Sequence, residues 1–304
     1  MAGTVSDWRP RDTLIKLITR ANNLACPIDG LKLDRIGKQL SCENGHSYDI
    51  ARQGYVNLLP VQHKRSKQPG DSKVMVVARS EFLDSGVYQP IADKLVETVL
   101  TLLPADGETC ILDAGCGEGY YFDTVFTALG ELAGERASKG ELSLIGLDIS
   151  KDAIIQATKR NRQTSWIVGT NRQPPLLDNS VDIILCMFGF VSATGFEKVL
   201  KPGGKIVLVD PGIEHLKELR EIIYPEVKKS AQSGSRTTEL PGFSSLKTEK
   251  LRFTTEISDV TQINNLLLMT PHFYRASKAG REAASRLDTL AITIDVTFRV
   301  FEKT

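Results

Sequence analysis

The sequence predicts an α/β protein, a doubly wound and mostly parallel sheet preceded by a small zinc-ribbon-like module. Three observations carry that expectation. Residues 110–121 read Cys-Ile-Leu-Asp-Ala-Gly-Cys-Gly-Glu-Gly-Tyr-Tyr, an apolar run suited to a buried parallel strand, then a glycine turn, then a helix start. From Thr109 onward, strand-like and helix-like segments alternate, the pattern of a sheet with helices on both faces. Near the N-terminus, Cys26-Pro-Ile-Asp29 and Cys42-Glu-Asn-Gly-His46 form two turns, each offering two metal ligands, with a hairpin predicted over 31–40 between them.

Length and composition admit that architecture. The chain has 304 residues, 41% hydrophobic and 25% charged, enough for a full α/β domain and a smaller module. No run approaches the roughly 20 apolar residues of a membrane span. The first apolar stretch, 13–24, is broken by Lys16, Arg20, Asn22 and Asn23, so it does not read as a signal peptide, and a cytoplasmic location without membrane partners is expected. Five cysteines are too few and too scattered for a disulfide framework. Cys110, Cys116 and Cys186 fall in strand or turn contexts and read as small buried apolar residues. The net charge of +1 conceals an asymmetry: residues 1–80 hold 13 Lys and Arg against 7 Asp and Glu, whereas the remainder holds 25 against 30. The basic end is the expected polyanion surface.

In order along the chain, 1–24 is an extension in which Leu14, Ile15, Leu17 and Ile18 fall on one side of a predicted short helix. Residues 25–60 are expected to form the zinc-ribbon-like module. Cys26, Asp29, Cys42 and His46 are its ligand set, with Asp29 where a second thiolate would normally stand. A carboxylate there makes a weaker, more exchangeable site, and a metal-free knuckle with Asp29-Gly30 as a simple turn stays open. Residues 61–108 are a basic linker and helices. Lys64, Arg65 and Lys67, in a stretch punctuated by Pro69-Gly70, are expected to contact phosphates. Helices are predicted within 72–103, with Tyr88 placed to close over a ligand, and Pro104 helps to stop the second.

Residues 109–304 carry the predicted sheet. Strands are expected at 110–114, 142–148, 165–168, 181–187 and 205–210, and helices at about 118–133, 151–161, 193–199 and 214–228. Strand-like runs at 251–257 and 292–301, with a helix near 260–269, would complete the far edge. Such sheets bind ligands at the carboxyl ends of their strands. The glycine turn reads Asp113-x-Gly115-x-Gly117-x-Gly119, whereas the dinucleotide fingerprint is Gly-x-Gly-x-x-Gly and seats a pyrophosphate on a helix N-terminus. Glu118 would repel that phosphate. A cation without phosphate is the better match, and S-adenosylmethionine, a sulfonium with an amino-acid tail, is one. Asp148, closing Leu144-Ile-Gly-Leu-Asp148, is placed to accept the ribose hydroxyls. The loop 169–175, containing Asn171, should flank the adenine, and Phe188-Gly-Phe190 should either face the methyl group and the acceptor base or belong to the core.

With these residues in place, the chain resembles the large-subunit ribosomal RNA (guanine-N1)-methyltransferases from about Ala25 to its end. The most specific matches are Gly54-Tyr-Val-Asn-Leu-Leu-Pro-Val-Gln-His-Lys-Arg-Ser66 and Pro69-Gly-Asp71, which other methyltransferases lack, with Leu112-Asp-Ala-Gly-Cys-Gly-Glu-Gly-Tyr-Tyr121 and Met269-Thr-Pro271. The resemblance implies a Rossmann-like class I S-adenosylmethionine-dependent methyltransferase sheet and methylation of N1 of a guanine in a 23S rRNA hairpin. It also implies a homodimer whose zinc modules help to form an RNA cleft. The family's cofactor contacts fall on Tyr88, Gly117, Glu118 and His215, and its Zn2+ ligands on Cys26, Asp29, Cys42 and His46. Two stretches depart from its pattern: Asp29, and Cys186-Met-Phe-Gly-Phe190 in place of a Tyr-Ala-Pro type of turn. The fold alone leaves two other readings open, a small-molecule methyltransferase and a non-catalytic RNA-binding protein that keeps the fold.

Overall fold

Strand β6 (Thr109–Ala114) has all six residues buried, as a strand covered on both faces must. It lies at the centre of a nine-stranded sheet seen in a computed structural model that describes residues 18–63, 66, 69–104, 107–135, 141–224, 239–270 and 276–304. Parallel to β6 run β7 (Leu142–Asp148) on one side and β9 (Val181–Met187) on the other. β8 (Ser165–Val168) and the short β5 (Val56–Asn57) extend the first side. β10 (Leu200–Pro211), β12 (Leu290–Lys303) and β11 (Phe243–Ile257) extend the other, the last two pairing antiparallel in a long hairpin at the far edge. The chain thus winds outward in one direction from β6 and in the other from β9. The crevice between their carboxyl ends is the switch point where such sheets take ligands.

Helices cover the faces and begin where side chains cap them. Ser72 accepts from the Met75 N–H at the start of α1 (Lys73–Asp84), and Pro90 sits in the first turn of α2 (Gln89–Leu102). α3 (Tyr120–Glu135) follows the glycine turn, and α4 (Lys151–Arg160) is capped by Ser150. α5 (Ala193–Val199), α6 (Lys217–Ile223), α7 (Val260–Met269) and α8 (Lys278–Ala284) complete the set. Trp166 locks α3 onto the sheet. A Cβ on Gly146 would fall 2.1 Å from its ring and one on Gly119 2.9 Å, so both positions need glycine for the indole to fit.

The small sheet has β2 (Asp34–Ile36), β3 (Gln39–Ser41) and β4 (Ser47–Asp49), all antiparallel. The predicted hairpin is its first pair; β4 is an addition, made when the chain turns back through Gly45 at φ +82°. Val56–Asn57 leaves the small sheet and pairs with β8 instead. At the N-terminus, Ile18–Thr19 (β1) is a strand rather than the predicted helix, and 1–17 lie outside the described residues. β8 meets β7 only from Ile145 onward, which leaves the backbone of Leu142 and Ser143 for β1 to pair. Among the described residues no helix is long and apolar enough to cross a membrane.

Candidate active site and metal centre

The turn after β6 is held against β7 by its own backbone. The N–H groups of Gly115 and Cys116 donate to the Leu147 carbonyl at 2.7 and 3.0 Å, and Gly117 N–H donates to Asp148 Oδ2 at 3.0 Å. Gly115, Gly117 and Gly119 have φ of +87°, +56° and +85°, the left-handed region where a side chain is strained. Asp148 Oδ1 also accepts from Ser150 N–H at 2.7 Å, and Ser150 Oγ donates to the Asp71 carbonyl at 2.7 Å. Pro69-Gly-Asp71 therefore roofs the carboxylate at the end of β7. Gly70 allows the approach, because a Cβ there would lie 2.8 Å from that of Ser150.

Three carboxylates converge on this turn. Asp113 is 1% exposed and its Oδ1 has no hydrogen-bond partner among the described residues. Burial, then the charges of Asp148 and Glu118, push its carboxyl well above the usual range. Glu118 is buried too; desolvation raises its carboxyl, against the opposing pull of Arg79 and Arg160. Asp148 is raised by burial and by Asp71, with the Ser150 and Gly117 N–H groups pulling it back. Arg79 and Arg160 are themselves paired with Asp71 and Asp84, so negative charge is in excess here, which suits a cationic ligand and disfavours a phosphate. The unpartnered Asp113 oxygen matches the ammonium and sulfonium of S-adenosylmethionine.

Tyr88 and His215, 127 residues apart, meet beside the turn with Oη and Nε2 3.2 Å apart. Asp295 N–H donates to His215 Nδ1 at 3.3 Å, which places the imidazole proton on Nε2, donating to Tyr88. His215 also stacks on Phe188, with centroids 6.1 Å apart and planes 28° from parallel. Phe188 and Leu216, the residue after His215, have φ of +54° and +53°, a strained conformation for such side chains. These left-handed residues lie at and next to the two stacked rings. Phe190 is 53% exposed and carries the Arg172 guanidinium 4.7 Å over its face, while Asn171 Nδ2 donates to the Phe190 carbonyl at 2.9 Å.

Tyr88, Asp113, Gly115, Gly117, Glu118, Asp148, Asn171 and His215, the predicted cofactor residues, gather at the carboxyl ends of β6, β7 and β9 and the loops that follow. A Cβ on Gly115 would come within 3.6 Å of Asn171 Nδ2. Lys64, Arg65 and Lys67 lie outside the described residues.

In the small sheet, one ligand atom each from Cys26, Asp29, Cys42 and His46 falls within 4.8 Å of all the others. His46 Nδ1 is 3.5 Å from Cys26 Sγ, 3.4 Å from Cys42 Sγ and 3.0 Å from Asp29 Oδ2, and Cys42 Sγ is 3.5 Å from Asp29 Oδ2. Tetrahedral zinc bonds of about 2.0–2.3 Å set ligand atoms roughly 3.3–3.8 Å apart, so this donor set fits the ion. The ligands are themselves held: Tyr48 Oη lies 3.2 Å from Cys26 Sγ, and Asn44 Nδ2 donates to Asp29 Oδ2 at 3.0 Å.

Comparison with known proteins agrees with this two-part layout. A family profile described as "RlmA, N-terminal" matches 24–67, and one described as "Methyltransferase domain" matches 111–204. The 23S rRNA (guanine(748)-N1)-methyltransferase of Streptomyces fradiae is 30% identical over 281 residues, covering 91% of this chain and 95% of that protein. The chain belongs to the 23S rRNA (guanine-N1)-methyltransferase family. Two further relatives carry provisional names for 23S rRNA (guanine-N1) methylation. YxjB of Bacillus subtilis is 30% identical, covering 89% of this chain and 94% of that protein, and a Micromonospora griseorubida protein is 33% identical, covering 65% and 68%.

In this family member, sequence reasoning passed over Arg79. Its guanidinium pairs with Asp71 at 2.5 Å, donates to the Met269 carbonyl at 3.2 Å, and would lie 3.7 Å from a Cβ on Gly117. It ties Pro69-Gly-Asp71 and Met269, two of the family-specific stretches, to the glycine turn. The signal available was the proximity of those stretches to a lone arginine in a predicted helix; its partner at Met269 lies 190 residues away.

Proposed function

We propose that the protein transfers the methyl group of S-adenosylmethionine to N1 of a guanine in a 23S rRNA hairpin. The observation that carries this reading is the Tyr88–His215 contact beside a glycine turn ringed by three carboxylates. The carboxylates suit a cationic cofactor, and the exposed aromatic mouth next to them suits a base taken out of its stack.

When bound, the cofactor supplies a methyl group on a sulfonium. In our reading, Asp113 faces its ammonium end, Glu118 screens the methionine end, and Asp148 accepts the ribose hydroxyls on lone pairs its two backbone donors leave free. Gly115 and Gly117 admit the ligand close to the backbone, Asn171 flanks the adenine, and Tyr88 and His215 close the pocket. Phe188, Phe190 and Arg172 receive the guanine and a neighbouring base, aromatic and guanidinium faces on which nucleobases stack. Attack by N1 is in line with the breaking carbon–sulfur bond, so most of the rate comes from holding the two reactants in that geometry. Extrusion of the base costs a few kcal/mol, less in a loop.

Cys26, Asp29, Cys42 and His46 would hold one structural zinc. Lys64, Arg65 and Lys67 would contact phosphates. Replacing those three with Ala is expected to weaken 23S rRNA binding and to flatten the slope of log affinity against log salt by about 2–3; an unchanged slope makes that stretch a bystander. We also infer a homodimer, as the family resemblance implies, which light scattering tests as a mass of two chains.

The deciding experiment incubates the protein with isotopically labelled S-adenosylmethionine and unmodified 23S rRNA, free and in assembling subunits, and maps the label by nuclease digestion and mass spectrometry. Label on 1-methylguanosine at one hairpin position is the expected outcome. Label on small-molecule acceptors only, or cofactor binding with no turnover on any RNA, overturns it.

A further inference from the structure

We propose that Tyr121 is a catalytic residue whose hydroxyl donates a hydrogen bond to O6 of the target guanine as N1 loses its proton. The inference rests on the guanine-N1 reading above and adds a group that neither the motifs nor the family's known contacts assign.

Tyr121 is the second residue of α3, immediately beyond the glycine turn. Its hydroxyl oxygen is buried yet has no hydrogen-bond partner among the described residues. Buried phenols ordinarily find one, because an unmade hydrogen bond costs about 1–3 kcal/mol. The neighbouring phenol differs in this respect: the Tyr88 hydroxyl is already engaged by His215 Nε2. Two orphaned polar atoms therefore flank the same turn, Asp113 Oδ1 and Tyr121 Oη. The first is an acceptor and is answered by a cation. The second has neither an acceptor for its proton nor a donor to its oxygen, and its O–H calls for an oxygen.

The surroundings choose between the two ligand oxygens within reach of such a site, the cofactor carboxylate and the guanine carbonyl. Tyr121 belongs to a continuous wall of rings. It meets Tyr120 at 5.1 Å and Phe188 at 6.2 Å, and Phe188 leads on to His215 at 6.1 Å and then Tyr88 at 6.0 Å. Phe188 is the strained, partly exposed residue at the end of β9, on the acceptor side of the crevice, so the ring of Tyr121 faces the base. The cofactor carboxylate has a cation on its own side of the turn, Arg79.

The chemistry asks for such a donor. Guanine N1 bears a proton, and its lone pair becomes nucleophilic as that proton leaves to water at the mouth. The negative charge left behind is shared between N1 and O6. N1 then forms the new carbon–nitrogen bond while the carbon–sulfur bond breaks and its electron pair returns to sulfur. The products are neutral 1-methylguanine, a neutral thioether and one released proton. A donor fixed at O6 binds the neutral carbonyl weakly and strengthens as that charge develops, the property of an oxyanion hole. Burial, followed by Tyr88, pushes the Tyr121 phenol well above its ordinary range, so it stays protonated and serves as donor rather than as the proton acceptor.

Tyr121→Phe tests this, because it removes the oxygen and keeps the ring. In single-turnover methylation of 23S rRNA the variant is expected to be slower by on the order of 10²-fold. S-adenosylmethionine affinity and RNA affinity should stay within about twofold, and the rise of rate with pH should move up by about two units, since the guanine anion is less stabilised. On RNA carrying 6-thioguanine at the target, whose sulfur is a weak acceptor, the gap between wild type and variant should close to about threefold or less. A thermal midpoint within about 2 °C of wild type shows that folding is intact. An unchanged rate overturns the proposal, as does a slower rate with an unmoved pH profile. A loss confined to cofactor affinity overturns it in favour of the cofactor carboxylate. Wild-type protein that makes no 1-methylguanosine would instead refute the reading on which the proposal rests.

Discussion

Asp113→Asn is expected to stabilise the ligand-free protein while removing most of its affinity for S-adenosylmethionine. Both effects come from one side chain. Asp113 ends β6, 1% exposed, with one carboxylate oxygen unpartnered and Asp148 and Glu118 close enough to add like charge. A buried carboxylate without a cation is held at the expense of stability. Asparagine keeps the shape and removes the charge. The expected gain is about 1–2 kcal/mol, a rise of roughly 2–3 °C in melting temperature for a chain of this size. Affinity for the cationic cofactor should fall on the order of 10²-fold by calorimetry, the cost of leaving a buried charge without its partner. Melting temperatures and affinities that fall together would mean that Asp113 is an ordinary structural residue.

The pH dependence supplies the sign. An unfolded aspartate titrates near about 3.9, whereas burial holds the folded Asp113 carboxyl well above that range. Between the two values the folded state binds the extra proton, so this stability is fully present below the unfolded value and is lost as pH rises through the folded one. The advantage of Asp113→Asn should therefore be absent near pH 3–4 and should grow as pH rises. Glu118 and Asp148 are raised as well and tilt both proteins, so the quantity to read is the difference between the two melting curves. Cofactor binding should also release a proton, seen as a binding enthalpy that varies with the ionisation enthalpy of the buffer.

How much of this was legible beforehand depends on whether the determining contact is local. β7, β8, β9, α5 and α7 coincide with the residues the sequence pattern predicts. Their boundaries are written in nearby residues: Ser192 and Asp259 cap α5 and α7 through their own side chains, Gly169 follows β8, and Gly189 comes two residues after β9. The glycine turn was legible for the same reason, since only glycine accepts three left-handed positions in five residues without strain. The small sheet's third strand was not, because the three residues of β4 are too short to show a period and form only when the knuckle returns the chain to β3. Arg79 and the Tyr88–His215 contact are products of tertiary structure across 190 and 127 residues. The left-handed Phe188 and Leu216 are the opposite of what their residue types favour, so no local rule finds them.

The second large effect is expected at the knuckle. Purified protein should carry about one zinc per chain, and Cys42→Ser should lose it together with most 23S rRNA affinity, while S-adenosylmethionine affinity is kept. The physical reason is how little else holds the small sheet. Its three strands have three residues each and β2 is wholly exposed, so the few side chains it buries, Leu33 and Leu40 among them, join one flank of the large sheet's core rather than form a core of their own. The four ligands instead join the turn at 26–29 to the turn at 42–46, the cross-link that a module too small for its own core needs. Asp29 makes the site informative as well as testable. A carboxylate in place of a thiolate weakens the hold on a borderline-soft ion, so Asp29→Cys should slow zinc release to a chelator by roughly tenfold or more. It should also raise the melting temperature of the loaded protein and leave methyl transfer unchanged. Protein that contains no zinc by mass spectrometry, and a Cys42→Ser variant that binds RNA as wild type does, would establish the metal-free knuckle. Asp29-Gly30 would then be only a turn, with Asp29 fixed by Asn44 and the Leu31 N–H, both of which it already accepts from.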